Sequence, residues 1–248
     1  MNKIPSPRRD LDILDGYHSP QLDVSVRLNT NESPFPLPEA FTEELEFEIK
    51  NLELNRYPNR SASELCLAIA ERELLKENEV FVANGSNEVI QSICLAFGGP
   101  ERSALIFEPT YAMHSQIAKI TGTRVVDGFR DAEFKVDTNV ALELIEKEKP
   151  EIVFLCSPNN PTGNSESPEL INSILSELNS TGGLLVLDEA YKEFSETSFE
   201  PTVRGESNLA FVRTFSKVWS LAGIRLGYLL APELSLIHIS EPTRPLYI

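Results

Sequence analysis

The residues best suited to chemistry cluster in one stretch, Arg213-Thr-Phe-Ser-Lys-Val-Trp-Ser-Leu-Ala-Gly-Ile-Arg-Leu-Gly-Tyr228. Its Lys217 stands between a hydroxyl, Ser216, and a guanidinium eight positions on, Arg225. A lysine amine can form a Schiff base with an aldehyde cofactor, and a hydroxyl and a guanidinium suit that cofactor's phosphate. Two more motifs lie upstream. Val-Leu-Asp188-Glu-Ala-Tyr191 sets a carboxylate 29 residues before the lysine, and Ser157-Pro-Asn-Asn160-Pro-Thr-Gly163 sets an amide 28 residues before that carboxylate.

These groups need elements to hold them. From residue 79 onward the chain alternates short apolar runs with helical periodicity. The expected strands are 79–83, 104–107, 124–127, 152–155, 184–187 and 209–212; the expected helices are 87–97, 111–120, 140–147 and 168–178. Continuous apolar strands suit a sheet covered on both faces, and the alternation predicts an α/β fold with a mostly parallel sheet. Upstream, Phe41, Leu45 and Ile49 are spaced for a helix over 38–52, and Ser61 with Glu64 reads as a capping box.

Ligands of such sheets bind at the carboxyl ends of the strands. Asp188 follows one strand, Asn160 lies in the loop after another, and Gly85-Ser86-Asn87 joins a strand to a helix N-terminus. Tyr111 opens a further helix. Pyridoxal 5'-phosphate needs this set. Its phosphate suits the free N–H groups at Gly85, Ser86 and Asn87, joined by Ser216 and Arg225. Its ring suits a stack on Tyr111. Its ring nitrogen needs a carboxylate, Asp188, and its phenolic oxygen needs donors, Asn160 and Tyr191. Its aldehyde needs Lys217.

Each residue alone has a blander reading. Asp188 could cap a helix, Asn160 could serve only a turn, and Arg225 could make a structural ion pair. Tyr111 could be core packing and Tyr57 a surface anchor. His114 reads as structural, and Glu43, Glu44, Glu46 and Glu48 read as a solvated helix face. The three motifs in this order favour the cofactor.

The chain resembles the fold-type I pyridoxal-phosphate aminotransferases, and within them the histidinol-phosphate aminotransferase branch. LNTNESPFPLP, NRYPN, NGSNEVIQ, EPTYAMH, SPNNPTGN, VLDEAYKEF and RTFSKVWSLAGIRLGY carry the resemblance over roughly residues 28–230. It implies an α/β/α large domain around a mostly parallel sheet, with an incomplete small domain. It implies that Lys217 is both the Schiff-base lysine and a proton shuttle. It implies a homodimer in which Tyr57 reaches the neighbouring subunit's cofactor phosphate, and it sets Tyr17 and Asn31 near the substrate. The expected reaction moves an amino group from L-histidinol phosphate to 2-oxoglutarate, giving imidazole acetol phosphate and L-glutamate. Threonine-phosphate decarboxylases and aromatic aminotransferases of the same family carry the same cofactor motifs.

The division expected is an arm with part of a small domain at 1–37, a cofactor-binding domain at 38–234, and a tail at 235–248. SLIHISEPTRPLYI at that tail resembles translated adapter read-through more than a natural terminus. The expectation is that the native chain is lost near residue 234, with the family's substrate-gripping arginine, so that an inactive cofactor-binding fragment is also open. A native stop codon after Ile248 in genomic reads would overturn that expectation.

Bulk composition excludes several classes. A net charge of −16 disfavours nucleic acid and anionic membranes as partners. The chain has no run of 18 apolar residues and no charged-then-apolar leader, so a cytoplasmic enzyme is expected. Cys66, Cys94 and Cys156 are odd in number, share no CxxC and read as buried thiols, with no metal site expected.

Overall fold

Ile152–Cys156 is apolar along its whole length, Leu184–Asp188 is apolar up to its final carboxylate, and both are buried throughout. They lie at the centre of a seven-stranded sheet. The structure, a computed structural model, describes residues 6, 8, 20, 23–195, 208–233, 236 and 239. Its strands are β1 (Val80–Ala83), β2 (Ser103–Glu108), β3 (Arg124–Phe129), β4 (Ile152–Cys156), β5 (Leu184–Asp188), β6 (Leu209–Thr214) and β7 (Gly227–Leu230). The helices are α1 (Glu39–Asn51), α2 (Ser63–Glu73), α3 (Ser86–Phe97), α4 (Met113–Ile120), α5 (Thr138–Glu148) and α6 (Pro168–Thr181).

The strand order is β1-β7-β6-β5-β4-β2-β3. β2, β3, β4, β5 and β6 pair in parallel, while β7 runs antiparallel to both β6 and β1. β1 therefore points the same way as the parallel set, and β7 alone is reversed. β7 was not among the expected strands. Its Gly-Tyr-Leu-Leu is short and opens on a glycine, so its pattern is weak; pairing on both sides makes it a strand.

Period-two alternation splits the core into two layers. Leu185, Leu187, Phe211 and Val153 face α2, α5 and α6. Val186, Val212, Phe154 and Ile106 face α3 and α4. Leu236 and Ile239 are buried in the second layer. The result is the α/β/α arrangement that the resemblance implies, around the mostly parallel sheet that the alternation of strands and helices predicts.

Local signals set several helix ends. Asp137 accepts from Val140 N–H at 3.1 Å and starts α5; Ser167 does the same for Leu170 at 3.2 Å, with Pro168 next, and starts α6. The capping box expected at Ser61 is absent. Ala62, in the left-handed region at φ 47°, precedes α2 without a side-chain cap. Ser61 instead donates to Asn59 Oδ1, so its hydroxyl is spent on the preceding turn. α1 forms where its periodicity predicts, but no residue of it is buried: Phe41, Phe47 and Ile49 are exposed.

Candidate active site

The parallel strands end along one edge of the sheet, and the expected residues sit there. β1 runs into Gly85 and α3, β2 into Tyr111, β4 into Asn160, β5 ends on Asp188, and β6 runs into Ser216 and Lys217. Because β7 is reversed, it begins at this same edge, which brings Arg225 beside Ser216. A cleft of about 590 Å³ opens there. Its lining includes Asn31, Ser86, Asn87, Tyr111, Asn160, Asp188, Tyr191, Ser216, Lys217 and Arg225. That volume suits a small cofactor with its substrate.

Gly85 shows why the anion end takes the form it does. It holds φ 87°, a left-handed conformation open to glycine, and precedes α3. A Cβ there would overlap the Arg225 guanidinium. A Cβ on Gly227 would likewise overlap the backbone of Gly85 and Ser86, so both glycines let β7 and Arg225 close on the helix start. Among the described residues, the backbone N–H groups of Ser86 and Asn87 meet no acceptor within the chain. Arg225 Nη1 donates to Ser216 Oγ at 3.4 Å and to Ala222 O at 3.2 Å. Arg225 itself holds φ 59°, a costly conformation for a non-glycine residue. Helix N–H groups, a hydroxyl and a guanidinium thus converge on one anion-sized space.

Lys217 lies at the middle of the cleft. Its Nζ donates to Thr30 O at 2.9 Å. Burial lowers its pKa below the ordinary lysine value; the Glu32 and Asp188 carboxylates oppose this, and Arg225 adds to it. The amine is therefore easier to deprotonate than a surface lysine, as a nucleophile requires.

Asp188 is buried. Its Oδ2 lies 2.9 Å from His114 Nε2, and its Oδ1 accepts from Ala190 N–H at 3.0 Å. An ionised carboxylate only accepts, so His114 Nε2–H donates. The His114 ring stacks on Phe154 at 4.8 Å. His114 is the residue that sequence reasoning missed as part of the site. The signal was present in part, since on the helix expected from Tyr111, His114 lies three positions on and would share its face. The two rings meet edge to face at 5.5 Å. Tyr111 itself lies just before α4, which begins at Met113, so it does not open the helix as expected. Its hydroxyl donates to Asn87 Oδ1 at 3.0 Å.

Asn31 Nδ2 donates to Tyr191 OH at 2.9 Å, and Ser220 Oγ donates to Ser33 Oγ at 2.7 Å. The segment Asn29–Glu32 so crosses the mouth of the cleft. Cys156 also lines it, but burial pushes its thiol pKa well up, so it is inert there. Tyr57 is not brought to the cleft: it is wholly exposed, at 102 %. Tyr17 lies outside the described residues. Among the described residues no cluster of His, Cys, Asp or Glu is arranged to hold a metal, and no helix is long and apolar enough to cross a membrane.

Comparison with known proteins agrees with this geometry. Residues 24–247 match the family model described as aminotransferase class I and II. The histidinol-phosphate aminotransferase of Corynebacterium efficiens is 43 % identical over 235 residues, covering 90 % of this chain and 62 % of that protein. The chain thus spans about three fifths of the length of the curated relatives it matches. Among solved structures, the histidinol-phosphate aminotransferase of Clostridium acetobutylicum superposes with a TM-score of 0.77 at 25 % identity, covering 87 % of this chain and 64 % of that one. That of Sinorhizobium meliloti, solved in complex with pyridoxal-5'-phosphate, superposes with a TM-score of 0.77 at 23 % identity, over 86 % of this chain and 57 % of that one, and shows the shared fold. With an α/β/α sheet, a lysine and carboxylate at its carboxyl edge, and a family model matched over most of its length, the chain belongs to the aminotransferase class I and II family.

Proposed function

We propose that this chain binds pyridoxal 5'-phosphate and forms the cofactor-holding part of a histidinol-phosphate aminotransferase. The observation that carries the reading is one cleft holding Lys217, buried Asp188 and the cradle of Gly85, Ser86, Asn87, Ser216 and Arg225. Among the described residues the N–H groups of Ser86 and Asn87 have no acceptor, and the Arg225 guanidinium packs directly on Gly85 beside them, which suits a phosphate. When bound, the cofactor supplies an electron sink that acidifies the α-proton of an amine substrate.

The chain's own residues supply the rest. Lys217 Nζ would bind the cofactor's aldehyde carbon and, as a free amine, would accept the proton leaving the substrate's α-carbon. Asp188, oriented by His114, would keep a proton on the ring nitrogen. Asn160 and Tyr191 would donate to the phenolic oxygen, and Tyr111 would flank the ring. Asn31, bonded to Tyr191, meets the substrate at the cleft mouth. The donor and acceptor are a small amine and an oxo acid, histidinol phosphate and 2-oxoglutarate. The relatives' names and the Asn-Glu-Ser-Pro and Arg-Tyr-Pro motifs support that choice over O-phosphothreonine or phenylalanine.

The exposed apolar residues Phe41, Phe47, Ile49 and Tyr57 support a homodimer in which Tyr57 reaches the partner's site. Three buried free thiols support a reducing, cytoplasmic setting.

The test is a titration with pyridoxal 5'-phosphate. A visible band is expected, with borohydride fixing the cofactor to the peptide bearing Lys217. Lys217→Ala should lose the band; a band of equal strength in that variant would refute the assignment. Product analysis with histidinol phosphate, O-phosphothreonine and phenylalanine separates the substrates.

A further inference from the structure

We propose that Asn159 is a positioning residue that fixes the ring of Tyr111 against the amide of Asn160. The inference rests on the cofactor reading above. β2 and β4 are neighbours, but their ladder stops at Ile106 and Phe154. Beyond it the strands part, and the two loops that follow carry Tyr111 and Asn160 into the cleft. Among the described residues no backbone–backbone hydrogen bond joins these loops. Asn159 supplies the link. Its Oδ1 accepts from Thr110 Oγ1 at 2.7 Å, and its Nδ2 donates to Pro109 O at 3.1 Å. The second Nδ2 hydrogen goes to Thr162 Oγ1 at 2.9 Å, within its own loop.

The backbone of Asn159 is tied as well. Its N–H donates to Asn164 O at 2.8 Å, and its carbonyl accepts from Gly163 N–H at 2.7 Å. The residue is only 2 % exposed. Both amide donors and the amide oxygen are thus satisfied out of reach of water, so any slip of one loop past the other leaves buried groups unpaired. The tie falls one residue before each cleft residue: Thr110 precedes Tyr111, and Asn159 precedes Asn160. A ring partner and a phenolic-oxygen donor carried on two loops hold one planar cofactor only if their separation is fixed, and here one side chain fixes it.

The experiment compares three variants of the whole chain with wild type. Asn159→Ala removes both inter-loop bonds, Thr110→Val removes one, and Thr162→Val removes only the bond inside the Asn159 loop. Two quantities are read: the dissociation constant for pyridoxal 5'-phosphate and the pH midpoint of its visible band. Asn159→Ala should weaken binding about tenfold, and Thr110→Val several-fold, on the scale of one buried hydrogen bond. Both should raise the pH midpoint, since a donor at the phenolic oxygen favours its anionic form. Thr162→Val should change neither by more than about twofold.

Unchanged affinity and midpoint in Thr110→Val, or equal changes in Thr110→Val and Thr162→Val, would overturn the positioning role. Circular dichroism melts identify a variant that has lost its fold. Should Asn159→Ala be one, the contrast between the two threonine variants decides. A wild-type chain that forms no band overturns the cofactor reading itself, and is told apart from failure of the positioning role by that control alone.

Discussion

Asp188 and Glu189 are adjacent carboxylates that turn to opposite faces of the sheet. Asp188 faces α3 and α4 and takes its hydrogen bonds from His114 and the Ala190 backbone. Glu189 faces α2 and meets Arg213, whose Nε donates to it at 2.7 Å. Arg213 also pairs with Glu73 at 2.6 Å, and Lys192 approaches Glu73 at 3.6 Å. One face thus keeps its carboxylate beside a stacked imidazole and open to a ligand. The other binds its carboxylates to a buried guanidinium and turns them into a clamp between α2, β5 and β6. Strand alternation alone divides a carboxylate that lines the cleft from one held in a clamp.

The largest effect should come from breaking the clamp. Arg213→Met leaves buried Glu189 without its cation and partly buried Glu73 with only Lys192 and Arg72 beside it, and should destabilise the chain by about 3–5 kcal/mol. Urea unfolding checks this, and a change under about 1 kcal/mol would mean that the buried ions are not the clamp they form in the structure. His114→Phe tests the other face. It preserves the stack on Phe154 and removes the bond to Asp188. Stability should change by about 1 kcal/mol or less, while cofactor affinity should drop about tenfold. Equal losses in both measurements would erase the distinction between the faces.

Acid sharpens the comparison by the smallest effect. Burial raises the pKa of Glu73, but attraction and hydrogen bonding from Arg213, with help from Lys192 and Arg72, bring it below its ordinary 4.5. Its contribution to stability is therefore whole above that value and lost as pH falls through its depressed folded value. Glu189 goes the other way: burial raises its pKa, outweighing Arg213, so acidification relieves its penalty. Melting temperatures of wild type and Glu73→Gln, taken from neutral pH down to about pH 3, isolate the first term. Wild type should lose its advantage only below about 4.5, and parallel curves across that range would sink the assignment.

The cleft was legible because its residues sit at fixed steps after apolar strands. Lys217, Asp188, Asn160 and Ser86 needed only the strand ends to be placed. His114 was legible in spacing but not in partner, since burial against Phe154 depends on how α4 lies over β4. The Arg213 clamp was not legible. Its members come from α2, β5 and β6, and each alone resembles an ordinary surface charge. α1 shows the converse error: its apolar period forms the helix, yet nothing among the described residues covers Phe41, Phe47 or Ile49.

The reversal of β7 has a consequence for the order in which the chain assembles. β6 and β7 are near neighbours in sequence, so Ser216, Lys217 and Arg225 come together as a local ribbon at small loop-closure cost. Gly85 reaches Arg225 only when β1 docks on β7, a contact between distant parts of the chain, which topology places late. The meeting of Gly85, Ser86 and Arg225 is thus a property of the fully closed sheet. An anion captured there is a latch on the final seam, and at a hundredfold excess over its dissociation constant it would hold that seam shut with about 2.7 kcal/mol.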